Sequence, residues 1–356
     1  MSSMLSESIT LPRLQSILAR CLDLHVGVIG DLGLDAYWMA DMTRSFLSRE
    51  TPRFPRPVVR EEYSLGAGAN VARNLAVLGV GRVTVFSVLG DDWRGEILRR
   101  EMLAAGISID RLVLSPQRST TTFIKPILLG YDSQQEDARI DFENGAPLSA
   151  ESEDAVIESL VGTIDALDAL LVADQLEING IVTAKTRESL NALAEANPEK
   201  VFAVDSRRRI GLYRNMVLKP NRVEAAEALS LRDDPLELTS EGLRGIAKRL
   251  EEGCARPVFL TLSEGGILVS SGGSQRVVPA APVTPPLDPV GAGDACMAAL
   301  GVALASGASP EEAAAFANLA AAVTVEKLNQ TGSASPEEIL ERNKMAQEPE
   351  AGVTGV

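Results

Sequence analysis

Apolar residues fall into two rhythms along this chain. Leu11, Leu14, Ile17, Leu18 and Leu22 recur at helical spacing and predict a first helix. His25–Gly30 is a short apolar run that reads as a buried strand, with Asp31 and Asp35 just past its end. From residue 36 to 62 the pattern breaks. Tyr37, Trp38, Arg44, Arg49, Pro52, Pro55 and Pro57 lead into Val58 and Val59, which suits short strands rather than a helix. A helix is expected from Val71 to Leu78, a strand over Val83–Val88 and a helix from Trp93 to Ala105. A second irregular stretch, 119–143, is rich in β-branched residues and ends in the alternating run Ala138–Glu143. The two excursions are expected to pair as one small β-sheet, a lid over the binding edge of a larger sheet.

Beyond Ser149 helix and strand alternate. Helices are expected at Glu151–Thr163, Gly180–Ala196, Thr239–Glu252, Asp294–Ala305, Pro310–Lys327 and Glu337–Met345. Strands are expected at Ala169–Ala173, Val201–Val204, Met216–Leu218, Val258–Leu262 and Ile267–Ser270. Residues 346–356 read as a disordered tail. This alternation predicts an α/β fold, a doubly wound and mainly parallel sheet with helices on both faces, plus the small β lid. Asp174 and Asp205 end two of the strands, and open α/β sheets bind ligands at such carboxyl ends.

Charge and composition narrow the functions. Lys and Arg total 34 against 49 Asp and Glu, a net charge of −15, which argues against nucleic acid and anionic membranes as partners. No apolar run reaches spanning length, and the polar, acidic start is unlike a signal peptide, so a cytoplasmic protein is expected. Cys21, Cys254 and Cys296 lie far apart and read as reduced thiols. The single histidine, His25, heads a strand. Ser-His-Asp, Cys-His and multi-His metal arrangements therefore fall away, and acid–base work passes to carboxylates or lysines. The glycines after the first strand do not form G-x-G-x-x-G, which disfavours a dinucleotide site.

The strongest chemical signal is Asp288-Pro289-Val290-Gly291-Ala292-Gly293-Asp294, followed by helix formers. It reads as a glycine turn feeding a helix N-terminus, whose free amides and dipole attract anions. The same field is expected to keep Asp294 ionised. A carboxylate beside an anion hole suits phosphoryl transfer, with the amides on the phosphoryl group and Asp294 taking the proton of the attacking hydroxyl. The plainer alternative is a helix-capping Asp after an ordinary loop. A second glycine turn, Gly66-Ala67-Gly68-Ala69-Asn70, opens another helix.

Three separated features line up: Gly66 to Asn70, Asn221 with Glu224, and Asp288 to Asp294. Together they resemble the ribokinase-like, phosphofructokinase-B type sugar kinases, over roughly residues 26–332. Within them, Gly30-Asp31, Tyr37-Trp38, Thr43-Arg44-Ser45, Arg139 with Asp141-Phe142-Glu143 and Phe316-Ala317-Asn318 are similar to the bacterial heptose-7-phosphate kinases. The resemblance implies a helix over 1–24 and a kinase domain over 25–335, with lid excursions 36–62 and 118–143. A C-terminal helix and tail would occupy 336–356. It implies Asp294 as base, with Gly291, Ala292 and Gly293 as anion hole. It further implies Asp35, Gly66 and Asn70 on the sugar, with Arg44, Glu143 and Arg207 also on the acceptor side. Lys219, Asn221, Glu224, Thr261, Ser263, Gly266 and Asn318 would serve the nucleotide, with Asn318 near the adenine. ATP is the implied co-substrate. The resemblance implies Mg²⁺ held through water by Asn221 and Glu224 and a monovalent cation such as K⁺ near Asp288; the uncovered edges of the lid strands lead to the expectation of a homodimer through the lid.

The acceptor side departs from the pattern. Ala67 stands where a second glycine is usual, Gln175-Leu176-Glu177 follows Asp174, and Ser206-Arg207-Arg208-Arg209 follows Asp205. Arginines at that strand end suit an acceptor phosphate. The reading expected is ATP-dependent phosphorylation of a sugar or sugar phosphate, heptose 7-phosphate being one candidate. A kinase for an unphosphorylated sugar or nucleoside, or a non-catalytic binding regulator on the same fold, remains the alternative.

Overall fold

The structure, a computed structural model, describes residues 9–231, 234, 236–328 and 331–347. The expected tail beyond residue 347 lies outside them. Helix α1 (Leu11–Cys21) buries Leu14 and Ile17, two of the positions its spacing singled out. β1 (His25–Gly30) passes almost directly into β2 (Leu32–Asp41), and the chain returns as β3 (Val58–Ala67). Then come α2 (Gly68–Val77), β4 (Arg82–Gly90), α3 (Trp93–Ala104) and β5 (Leu112–Ser115). The second excursion forms β6 (Thr122–Leu129), β7 (Gln134–Glu136) and β8 (Ile140–Phe142). The alternating part follows as α4 (Ala150–Val161), β9 (Ala169–Asp174), α5 (Ala184–Ala196), β10 (Val201–Ser206), β11 (Val217–Leu218) and α6 (Arg222–Ala228). The chain continues with α7 (Ser240–Cys254), β12 (Val258–Thr261), β13 (Ile267–Ser271) and β14 (Ser274–Val278). It closes with α8 (Ala292–Ala305), α9 (Pro310–Val325) and α10 (Pro336–Gln347).

The large sheet runs β14-β13-β12-β11-β10-β9-β1-β4-β5 and is parallel from β12 to β5. Successive strand residues face opposite sides, so Val28 enters one core and Ile29 the other. The first core is covered by α1, α2, α3, α8, α9 and α10, through residues such as Leu75, Leu98 and Phe316. The second is covered by α4 to α7, through Leu160, Leu190 and Leu250. Burial on both faces is why these strands read as continuous apolar runs.

The expected lid is a separate sheet of order β3-β2-β6-β7, with β8 also on β6. β2 and β6 join the two excursions in parallel, Ala36 opposite Ile124. The lid strands run past the expected limits, from Leu32 and on to Ala67. β2 gains ladder partners on both sides from its first residues, so Asp35 sits inside a strand rather than in a loop. Helix α5 starts at Ala184, not Gly180. The carboxylate of Asp31 accepts from the amides of Gln175, Leu176 and Ile181, holding that segment open, and Thr183 caps the helix instead. No helix among the described residues is long and apolar enough to cross a membrane.

Candidate active site

Gly291, left-handed at φ 82°, is the N-cap of α8 and places Asp294 in its first turn. Asp294 Oδ2 accepts a hydrogen bond of 2.7 Å from Asn70 Nδ2, so the two glycine turns meet at one carboxylate. The amide of Ala292 is taken by the Pro289 carbonyl at 3.2 Å. The anion hole is therefore narrower than the sequence suggested. Among the described residues, the amides of Gly291 and Gly293 have no such partner.

Burial pushes the Asp294 carboxyl up to about 7, with Asp205 and Asp35 adding to the rise and Asn70 and Lys219 opposing it. The expectation of a fully ionised Asp294 is thereby corrected. A helix terminus contributes about 0.3–1 kcal/mol, less than one pH unit, and loses to desolvation. The outcome suits a base that must gain a proton near neutrality.

Lys219, at the exit of β11, sets its Nζ 3.0 Å from Asp205 Oδ2 at the end of β10. Both are buried, and although burial opposes the charge, Asp205, Cys296 and Glu224 keep Lys219 protonated. Lys219, Asp205 and Glu224 line a cleft of about 620 Å³ with Asn221, Thr261, Gly293 and Asp294. Asn221 and Glu224 form a reciprocal capping box on α6, Glu224 N to Asn221 Oδ1 at 2.9 Å and Asn221 N to Glu224 Oε2 at 2.8 Å. Burial, then Asp205, raises the Glu224 carboxyl, while Lys219 draws it down.

On the lid side, Asp35 Oδ2 accepts from Thr331 Oγ1 at 3.2 Å and lies 3.8 Å from Lys125 Nζ. A Cβ at Gly66 would stand 3.2 Å from the Asp35 carboxyl, so the glycine makes room for that side chain. Burial raises the Asp35 carboxyl, and Lys125 and Thr331 pull it back. Arg44, ending a single 3₁₀ turn, and Glu143, just past β8, are exposed on the lid.

The three arginines divide. Arg209 is committed to the fold, gripping the buried Asp174 with Nε at 3.0 Å and Nη2 at 2.5 Å. Arg208 pairs with Glu177 and Glu227. Arg207 is exposed, donates to Gln175 Oε1 at 3.2 Å, and lines the cleft that also holds Lys219 and Glu224.

Of the residues assigned to the nucleotide, Thr261 lines the cleft, while Ser263 is exposed in a 3₁₀ turn. Gly266 serves the backbone instead: at φ +83° its absent Cβ would fall 2.1 Å from the Val278 carbonyl. Asn318 lines a second cavity and donates to Val278 O at 3.1 Å and Pro279 O at 2.8 Å. Asp288 accepts from the Val290 amide at 3.0 Å, shaping the approach to Gly291.

No group of three or more His, Cys, Asp or Glu suited to a metal occurs among the described residues. The cleft instead offers oxygen donors from Glu224 and Asn221 beside the Asp205–Lys219 pair. That set fits a hydrated hard cation held through few protein groups. His25, bonded to Thr84 Oγ1 at 2.9 Å, takes no part, and the Cys296 thiol is pushed up to about 11 by burial. Sequence reasoning placed Asp205 at the ligand-binding edge without its Lys219 partner, and missed Lys125 and Thr331. Only Lys125, a lone cation in an apolar strand, carried a signal.

The chain is 33 % identical over 330 residues to "Bifunctional protein HldE" of Geobacter sulfurreducens, covering 92 % of this chain and 64 % of that protein. It is 34 % identical over 306 residues to the protein of the same name from Rhodopseudomonas palustris, covering 84 % of this chain and 59 % of the relative. The chain thus spans less than two thirds of these relatives. Its fold is similar to Escherichia coli phosphofructokinase-2 solved with substrates and products, at TM-score 0.71, 20 % identity, and 91 % and 100 % coverage. It is also similar to Thermotoga maritima ribokinase, at TM-score 0.63, 21 % identity, and 90 % and 99 % coverage. Residues 46–338 match the family described as pfkB family carbohydrate kinase, and the chain, with its doubly wound sheet and separate lid, belongs to that family.

Proposed function

We propose that this carbohydrate kinase transfers the γ-phosphoryl group of ATP to a hydroxyl of a phosphorylated sugar, with Asp294 as general base. The observation that carries the reading is the Asn70–Asp294 hydrogen bond, which couples the lid-side turn to the anion-binding turn. Asn70 and Asp35 orient the sugar hydroxyls, and Gly66 leaves the space that Asp35 occupies. The hydroxyl oxygen bonds to the γ-phosphorus as the bond to the bridging oxygen of ADP breaks, and the proton passes to Asp294. The amides of Gly291 and Gly293 hold the transferred group, and Lys219 sets a fixed positive charge beside it. Mg²⁺, bound through water to Asn221 and Glu224, would neutralise phosphate charge. A monovalent cation near Asp288 would support the same turn.

The first candidate acceptor is D-glycero-β-D-manno-heptose 7-phosphate, giving the 1,7-bisphosphate. The relatives named HldE and the heptose-kinase-like segments favour it, and Arg207 is the uncommitted cation of its cluster. We further place the protein in the cytoplasm, on the strength of three buried free thiols. The test is ATP consumption across sugars and sugar phosphates, with and without EDTA. A metal-dependent preference for a phosphorylated acceptor is expected. Preference for a free sugar refutes the acceptor reading, and full turnover in excess EDTA refutes the metal.

A further inference from the structure

Between β9 and α5, residues 175–181 form a strap without helix or strand that runs from the Asp294 cleft to the root of the lid. On the cleft side, Gln175 and Glu177 line the cavity and accept from Arg207 Nε at 3.2 Å and Arg208 Nε at 3.0 Å. On the lid side, Asn179 Nδ2 donates to Asn144 O at 2.7 Å, and the Asn179 carbonyl accepts from Arg118 Nη2 at 2.8 Å. Arg118 and Asn144 stand on the two stalks of the second lid excursion. Asn144 ties those stalks together, donating from Nδ2 to Ser119 O and accepting at Oδ1 from Ser119 N, each at 3.0 Å.

Asp31 pins both ends of the strap, with Oδ2 on the amides of Gln175 and Leu176 and Oδ1 on that of Ile181. Slack at the ends therefore cannot absorb a displacement of Glu177, and it passes to Asn179. Arg118 is 9 % exposed, with Nε and Nη1 buried and unpartnered. Among the described residues the Asn179 carbonyl is the acceptor that seats this guanidinium, so a shift of the strap carries the stalk with it.

We propose that Asn179 is a positioning residue that couples phosphate in the Asp294 cleft to the lid. The proposal rests on the nucleotide reading of that cleft. Phosphate groups entering it compete with Gln175 and Glu177 for the guanidinium groups of Arg207 and Arg208, since charge-assisted contacts to phosphate are the stronger. The strap is freed on that side, and its movement reaches the lid root through Asn179. The lid then settles over the acceptor when the nucleotide is in place, which favours the acceptor hydroxyl over water. By linkage, lid and nucleotide favour one another by the same factor.

The test is hydrogen exchange of lid amides, residues 118–144, in the full chain with and without Mg²⁺ and AMP-PNP. It is run on the wild type and on Asn179→Gly, with thermal melting alongside. Asn179 has φ 53°, a left-handed conformation that glycine adopts freely, so the variant removes the side-chain amide and keeps the turn. In the wild type the nucleotide should slow lid exchange about 10-fold, within the usual span of coupling between sites. Asn179→Gly should still bind AMP-PNP and melt with the wild type, yet lose that slowing. Bound AMP-PNP that leaves wild-type lid exchange unchanged, or full slowing in the variant, overturns the proposal while leaving nucleotide binding intact. A variant that melts lower and exchanges faster in the lid without nucleotide marks Asn179 as structural and overturns it too. If the wild type does not bind AMP-PNP, the nucleotide reading falls along with it.

Discussion

Asn70 Nδ2 lies 2.7 Å from Asp294 Oδ2, although the two residues stand 224 positions apart in the chain. The contact draws the Asp294 carboxyl down, against a burial that drives it to about 7. In Asn70→Ala the opposing donor is gone, so the folded-state value rises further. The acidic limb of the kcat/KM profile should then move up by about one pH unit, the equivalent of one hydrogen bond to a charged group. A limb that stays in place, or moves toward acid, would separate Asn70 from the base.

Arg209 and Arg207 should behave oppositely. Asp174 is fully buried and accepts from Arg209, Ser206 and Tyr213. Arg209→Ala leaves that carboxylate without its cation and should destabilise the fold by about 3 kcal/mol in urea unfolding. Arg207→Ala should leave the unfolding midpoint unchanged and raise KM for a phosphorylated acceptor. Comparable stability losses in both variants would contradict this division.

Ala67 adopts φ 50°, ψ −133° at the N-cap of α2, a conformation that disfavours a Cβ. Ala67→Gly should relieve about 1 kcal/mol of strain, even after the greater unfolded-state entropy of glycine is counted. Denaturant titration checks it, and a less stable variant would show that the turn carries no strain.

The lid exposes Phe46 at 74 %, Phe54 at 66 % and Tyr131 at 90 %. Large apolar side chains exposed in both lid excursions call for a partner surface. The wild type should be a dimer by light scattering, and Phe46→Asp with Phe54→Asp should be monomeric. A wild-type monomer at micromolar concentration disposes of the lid dimer.

The layered fold was legible because the central parallel strands β1, β4, β9 and β10 are buried on both faces and helices such as α1 and α7 carry one apolar stripe. β5, β14 and α6 escaped notice. β5 and β14 show mixed burial, and α6 has seven residues set by a capping box rather than by an apolar stripe. Asp294 stood out from its own glycine turn, but its grouping with Asn70 and Asp35 was recognisable by resemblance alone, since nothing local ties positions so distant in sequence. Charge is where sequence reasoning fell short. The helix field at Asp294 was visible, but neither the burial that outweighs it nor the added push of the Asp205 and Asp35 carboxylates, brought in from β10 and β2, could be read locally. The three arginines likewise read as equivalent, and only the buried position of Asp174 reveals that Arg209 is spent on the fold.

Asp294→Asn tests the account most directly. Turnover of the best acceptor should fall ~10²–10⁴-fold, the worth of a positioned general base, while ATP affinity holds. Burial raises the folded carboxyl to about 7, above the ~3.9 of an unfolded Asp, so ionising it costs stability as pH rises through that window. The variant should therefore melt no lower than wild type at pH 8.5, with its relative advantage shrinking toward pH 4. Near-wild-type turnover in a folded Asp294→Asn would contradict the assignment of Asp294 as the base.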